Sequence, residues 1–366
     1  MHARIDNPEL IRAQELGLKI FSYPEFLYKH AKNKKRIVIG GSHGKTTITA
    51  MVMHVMKHCG MDLYYLVVSK IEDFEVMVQL SDHAKIMIFE GDEYLSSPID
   101  RRPKFHWYHP HIALISGIAW DHINVFPTIE NYTEQFLKFI RLIENDGILI
   151  YSKDDQTLSR MVEENKRGDL KKLPYQVSDY VIKDGITFLV MGEKKIPLKV
   201  FGKHNLMNIN GARLVCNSIG ISNDDFYEAI SGFKGTSNRL ELIERNDSYV
   251  LYKDFAHAPS KVKATIQAVK EQFVHHKLIA CLELHTFSSL NKSFLSQYRG
   301  SFKAADKGCV YYNPHTIEMK KLESISTNDI KKAFGRDDVL IFTDSTEIVD
   351  WLSSIKQEKN VFLMMS

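Results

Sequence analysis

The chain has little that would tie it to a membrane, to nucleic acid or to an oxidising compartment. Its longest apolar runs, such as 86–89 and 361–365, are strand-length, far short of the ~20 residues that span a bilayer. No excess of one charge is present either. Forty-eight Lys and Arg face 45 Asp and Glu, a formal +3 over 366 residues, too small to argue for a nucleic-acid partner or membrane insertion. The four cysteines, Cys59, Cys216, Cys281 and Cys309, lie far apart with no paired metal-ligand spacing, which predicts a reducing, cytoplasmic setting. The first residues carry no hydrophobic signal core and predict no targeting peptide. Internal repeats, low-complexity tracts and proline-rich linkers are absent from the sequence.

What remains is the composition of an ordinary globular protein, 44% apolar and 25% charged. At ~150 residues per domain, the length predicts two domains, or two and a fragment. Short β-branched and aromatic runs at 36–39, 63–68, 86–89, 112–116 and 148–151 alternate with amphipathic stretches at 46–59 and 131–144. That alternation predicts an α/β fold with a mostly parallel sheet. Between 175 and 202 the pattern shifts to brief runs broken by Asp184-Gly185 and Gly192-Glu193, the signature of a small antiparallel sheet. A second α/β series begins at 249 and continues through 278–284, 309–312, 339–342 and 361–365. The domain joint is expected near 240–246.

The strongest local signal is Gly40-Gly-Ser-His-Gly-Lys-Thr-Thr47, between an expected strand and an expected helix. Glycines let backbone N–H groups wrap a phosphate, and the helix N-terminus adds its positive end. Lys45 is placed to reach the β- and γ-phosphates, and the Thr46 hydroxyl to ligate Mg²⁺. Gly41 and Gly44 are three apart, so the loop is shorter than the common form. Further acidic and imidazole groups follow two later strands, in Phe89-Glu-Gly-Asp-Glu-Tyr94 and Trp120-Asp-His122. Ligands of open parallel sheets bind at the carboxyl ends of strands, so a carboxylate there can hold a cation opposite the phosphate loop.

These motifs, in this order, resemble the Mur ligase family of ATP-dependent amide-forming enzymes. The resemblance covers nearly the whole chain. It implies a P-loop-type ATPase domain followed by a smaller Rossmann-like α/β domain, with ATP and Mg²⁺ as cofactors. Within it, Gly41, Ser42, His43, Gly44, Lys45, Thr46 and Thr47 match the phosphate loop, Glu90 a Mg²⁺-binding glutamate and His122 a histidine at a second metal position. His204, Asn205 and Asn208 match an adenine-contacting helix start, Arg239 an arginine that reaches the γ-phosphate, and Asp254 a ribose-contacting aspartate. The expected catalytic group is Lys45, His122 and Arg239.

Some positions depart from the family's pattern. Phe136 stands where several branches carry a carbamylated lysine, Gly117 and Ala119 where relatives often have Asn and Glu, and Lys253 where an acidic residue is frequent. Residues 93–105 and 122–127 are similar to the branch that joins UDP-N-acetylmuramate to L-Ala-γ-D-Glu-meso-diaminopimelate in peptidoglycan recycling. The alternative amine is L-alanine. The resemblance also implies that 1–33 is the tail of a UDP-binding domain, 34–243 the ATP-binding domain and 244–366 a shortened C-terminal domain. A different phosphate-loop enzyme, such as a folylpolyglutamate-type ligase or a kinase, and a non-catalytic nucleotide-binding fragment are the competing readings.

Overall fold

In the computed structural model, the described residues are 4–68, 71, 74, 76–120, 125–236, 239–355 and 360–366. Contacts divide the chain into two compact units, one of Met1–Ser178 with Met207–Phe233, the other of Asp179–Leu206 with Lys234–Ser366. No helix among the described residues is long and apolar enough to cross a membrane.

The first unit is built on strands β1 (Lys35–Gly40), β2 (Tyr64–Leu66), β3 (Val78–Gln79), β4 (Ile86–Glu90), β5 (Ile112–Ile115), β6 (Ile148–Ser152) and β7 (Lys171–Tyr175). Among the described residues they form one sheet in the order β3-β2-β4-β1-β5-β6-β7. Only the β2–β3 pair is antiparallel. Ile37, Val38 and Ile39 of β1 are fully buried, the run of β-branched residues expected of a strand covered on both faces. The register pairs Ile39 with Glu90 and Gly40 with Ile115. The carboxyl ends of three adjacent strands therefore meet at one sheet edge.

Crossover helices cover the sheet. Lys45–His58 buries ten of its residues, including Ile48, Val52, Val55 and Met56. Ile129–Arg141 turns Tyr132, Phe136, Phe139 and Ile140 inward, at the 3–4 residue spacing of one helix face. Phe105 stacks on Phe139 at 4.5 Å and meets Phe136 edge-on at 5.4 Å. Phe136 is thus core, and Lys138, on the surface, pairs with Glu134 at 3.0 Å.

In the second unit, β8 (Tyr180–Lys183), β9 (Ile186–Met191) and β10 (Lys194–Leu198) form the expected antiparallel sheet. The β8–β9 turn is Asp184-Gly185, both at positive φ (51° and 74°), the backbone that a two-residue hairpin favours. The larger sheet has β11 (Glu241–Arg245), β12 (Tyr249–Asp254), β13 (Lys277–Leu284), β14 (Lys307–Tyr312), β15 (Leu340–Phe342) and β16 (Asn360–Met365). Its order is β11-β12-β16-β13-β14-β15, parallel except at the β11 edge. Cys281 and Cys309 are in-register neighbours on β13 and β14, and all four cysteines are unbridged.

Candidate nucleotide site

At the carboxyl end of β1 the chain enters the loop 41–44 and then the helix Lys45–His58, whose first turn has no side-chain cap. Among the described residues no side chain caps the backbone N–H groups at that end, and the helix dipole favours an anion there. Two glycines make the bend possible. Gly41 has φ +120°, and a Cβ on it would lie 2.3 Å from Ser116 Oγ and 2.7 Å from the Ser116 backbone nitrogen. Gly44 has φ +78°, and a Cβ there would lie 2.4 Å from Asn208 Oδ1. The loop is tied down by the adjoining strand. Ser42 N–H donates to the Gly117 carbonyl at 3.0 Å, Ala119 N–H donates to Ser42 Oγ at 2.8 Å, and the Ser116 hydroxyl donates to the His43 carbonyl. His43 Nδ1 lies 2.8 Å from the Ser42 carbonyl oxygen. Thr46 and Thr47 are both buried in the first turn.

Acidic side chains face this turn from the end of β4. The Thr46 hydroxyl donates to Glu90 Oε1 at 2.6 Å and Val68 N–H to Glu90 Oε2 at 2.9 Å. The Lys45 ammonium donates to the Gly41 carbonyl at 2.7 Å and to Glu93 Oε2 at 2.6 Å. Glu90 and Glu93 are only 3% and 1% exposed. Burial pushes the Glu90 carboxyl above the usual carboxylate range, against the opposing pull of Thr46, Val68 and Lys45. For Lys45, burial favours the neutral amine, but the Glu93, Asp92 and Glu90 carboxylates outweigh it and hold its pKa above the ordinary value. Asp92 is desolvated too, and the Lys104 and Lys45 ammonium groups still keep its pKa low.

No cluster of three or more His, Cys, Asp or Glu groups with metal-binding geometry occurs among the described residues. The available donors at the loop are instead the Thr46 hydroxyl and the Glu90 carboxylate. These are oxygens suited to Mg²⁺, which takes few protein ligands and keeps phosphate and water oxygens. The Glu90 carboxylate, buried at the end of β4 and within 2.6 Å of the Thr46 hydroxyl, makes with it an all-oxygen pair that fits the cation that the sequence implies. His122 lies outside the described residues.

The remaining expected residues divide between the units. Asn208, on the helix Lys203–Ser218, lies against Gly44 in the first unit. In the second unit, Asp254 Oδ1 accepts from Leu240 N–H at 3.1 Å and Oδ2 from the Thr265 hydroxyl at 2.6 Å. Arg239 donates to the Phe255 carbonyl at 2.9 Å, with its guanidinium 5.2 Å from the Phe255 ring centroid. Asn205 donates to the Phe201 carbonyl at 2.9 Å. Desolvation lowers the His204 pKa more than the Asp254 carboxylate raises it.

Sequence reasoning did not single out Glu93, Ser116 or Tyr132 for the site. Tyr132 Oη donates to Glu93 Oε1 at 3.1 Å and lies 2.9 Å from Ser42 Oγ. Only the Glu93 carboxylate, inside the acidic motif 89–94, carried a local signal. The other two read as a strand end and a helix core position.

Known proteins are similar to this chain in domain sequence and in fold. Residues 39–216 match the model of the Mur ligase middle domain, and residues 238–366 that of the Mur ligase, glutamate ligase domain. A UDP-N-acetylmuramate–L-alanine ligase of Caldanaerobacter subterraneus subsp. tengcongensis is 29% identical over 372 residues, covering 98% of this chain and 78% of that protein. Among solved structures, the fold is similar to a UDP-N-acetylmuramate-alanine ligase from Thermotoga maritima, with TM-score 0.73 at 19% identity over 100% of this chain and 80% of that one. It is also similar to a murein peptide ligase from Psychrobacter arcticus, with TM-score 0.63 at 20% identity over 100% and 81%.

Proposed function

The chain belongs to the Mur ligase family of ATP-dependent amide ligases, and from that premise we propose that it joins the muramyl carboxylate of UDP-N-acetylmuramate to the amine of L-alanine. The observation that carries the ATP half of this reading is the uncapped helix start at Gly44, with Lys45 and the Thr46–Glu90 pair in its first turn and at the adjacent strand end. The curated relatives, named as L-alanine ligases, favour that amine over the tripeptide to which residues 93–105 pointed. The tripeptide remains the second reading, supported by residues 122–127 and by that stretch. It forms an ordered loop in which Arg102 pairs with Asp100 and Trp107 Nε1 donates to the same carboxylate at 2.8 Å.

The chemistry follows from the groups present. The carboxylate oxygen attacks the ATP γ-phosphorus and ADP departs with the electron pair of the broken P–O bond. The amine nitrogen then attacks the acyl carbon of the resulting acyl phosphate, inorganic phosphate leaves, and nitrogen loses a proton. The loop N–H groups and Lys45 hold the phosphates and offset the charge that develops on them. Thr46 and Glu90 would hold Mg²⁺, which supplies further charge neutralisation on the phosphate oxygens. His122 would belong to a second metal position. We assign Arg239 to the γ-phosphate, Asp254 to the ribose and His204, Asn205 and Asn208 to the adenine, all by resemblance. The domain roles follow the sequence boundaries, 34–243 for ATP and 244–366 for the C-terminal ligase domain.

Offering the protein ATP, Mg²⁺, UDP-N-acetylmuramate and both amines at equal concentration tests this reading. Mass spectrometry of the products is expected to find the L-alanine adduct in excess. A predominant tripeptide adduct would reverse the choice of amine, and a stable phosphorylated product without amide would overturn the ligase reading.

A further inference from the structure

Lys45 and Glu93 belong to a ring of contacts among the described residues that the nucleotide reading does not by itself require. An ammonium has three N–H donors. The Gly41 carbonyl and Glu93 Oε2 take two of them, at 2.7 and 2.6 Å, which leaves one for a phosphate oxygen. Glu93 is itself fixed. Its other oxygen accepts from Tyr132 Oη at 3.1 Å. A phenol has one proton to give, so in the 2.9 Å contact between Ser42 and Tyr132 the serine hydroxyl donates. Ser42 Oγ in turn accepts from Ala119 N–H. The chain of hydrogen bonds therefore runs one way, from Ala119 through Ser42 and Tyr132 to Glu93. It closes on the loop that carries Ser42, because Lys45 bonds both Glu93 and Gly41. Tyr132 is fully buried, Glu93 1% and Ser42 5% exposed, where such bonds are strong and water does not compete for them.

We propose that Glu93 is a positioning residue for phosphoryl transfer, holding the Lys45 ammonium at the phosphate loop through the chain Ser42–Tyr132–Glu93. This rests on the reading of Lys45 as a nucleotide contact. A carboxylate so near the triphosphate binding turn has two opposing effects on ATP. It repels the phosphates directly, and it keeps the attracting ammonium in place. Only the second passes through Lys45, so the two separate in a double-mutant cycle.

The cycle measures Mg²⁺–ATP affinity by calorimetry in the whole chain carrying Lys45→Ala, Glu93→Gln or both. With Lys45 already removed, Glu93→Gln is expected to tighten ATP binding about tenfold, since only repulsion is lost. With Lys45 present, the same change is expected to give no tightening, because misplacement of the ammonium offsets the relief. Equal effects of Glu93→Gln in the two backgrounds, within twofold, would overturn the proposal. So would a Glu93→Gln protein that loses thermal stability and still gives an additive cycle. Tyr132→Phe keeps the buried ring and removes the hydroxyl that donates to Glu93 and accepts from Ser42. It is expected to weaken ATP binding ~3-fold when Lys45 is present and to leave it unchanged in Lys45→Ala, and it carries the test if Glu93→Gln does not fold. If Lys45→Ala alone leaves ATP affinity unchanged, the nucleotide reading of the site falls first and this proposal with it. If Lys45→Ala weakens binding and the cycles are additive, only this proposal falls.

Discussion

Lys45→Ala is expected to slow amide formation by about 10²–10³-fold, the typical effect of deleting one preorganised group that stabilises transition-state charge. Weaker Mg²⁺–ATP binding should accompany the loss, because the same ammonium attracts the phosphates in the ground state. The substitution also strands Glu93, which is 1% exposed and whose Oε2 lies 2.6 Å from the lysine. Removing one partner of a buried pair costs about 3–5 kcal/mol, so part of the defect will appear as a lower melting temperature. Adding Glu93→Gln removes the stranded charge and is expected to restore much of the stability without restoring turnover. Calorimetry and steady-state ADP release on the same preparations separate the two effects. Wild-type turnover and ATP affinity in Lys45→Ala would remove the lysine from the mechanism.

The second large effect is expected at Gly41. Its φ of +120° is a region that L side chains rarely adopt, and an added Cβ would stand 2.7 Å from the backbone nitrogen of Ser116. That nitrogen cannot swing aside as a side chain can, because it donates to the Gly40 carbonyl at 3.0 Å. Gly41→Ala must therefore push the loop away from the end of β5 or distort β1. Backbone strain alone costs ~1–3 kcal/mol. With the collision added we expect about 3 kcal/mol, or roughly 6–12 °C in melting temperature for a unit of this size. ATP binding should fall below detection, since the loop carbonyl that holds Lys45 moves with the residue. A folded Gly41→Ala protein with unchanged melting temperature and ATP affinity would contradict this geometry.

The phosphate loop was legible because its parts are contiguous: strand, glycines, Lys45-Thr46 and helix follow one another within about a dozen residues. Glu90 was legible because parallel strands put their carboxyl ends at one edge, and the register pairs it with Ile39. Ser116 and Tyr132 were not. Ser116 reaches the loop only because β5 lies beside β1, and strand adjacency is not written in any local pattern. Tyr132 is one of the buried aromatic residues of the helix Ile129–Arg141. Its hydroxyl matters only because Ser42 and Glu93, from two other elements, converge on it. Edge strands were missed for a simpler reason. β7 contains Pro174 and a single large aliphatic residue, and β11 is exposed along its length, so neither shows the apolar run that marks an interior strand.

In the proposed reaction the muramyl carboxylate is activated by direct attack on ATP, at a site built from the Gly41–Gly44 loop and Lys45. Oxygen-18 placed in that carboxylate reports it. An acyl phosphate carries one labelled oxygen to phosphorus, and amine attack at the acyl carbon leaves that oxygen in the departing phosphate. One labelled oxygen per inorganic phosphate, formed in step with amide, is the expected result. Unlabelled phosphate accompanying amide formation would rule out the acyl phosphate.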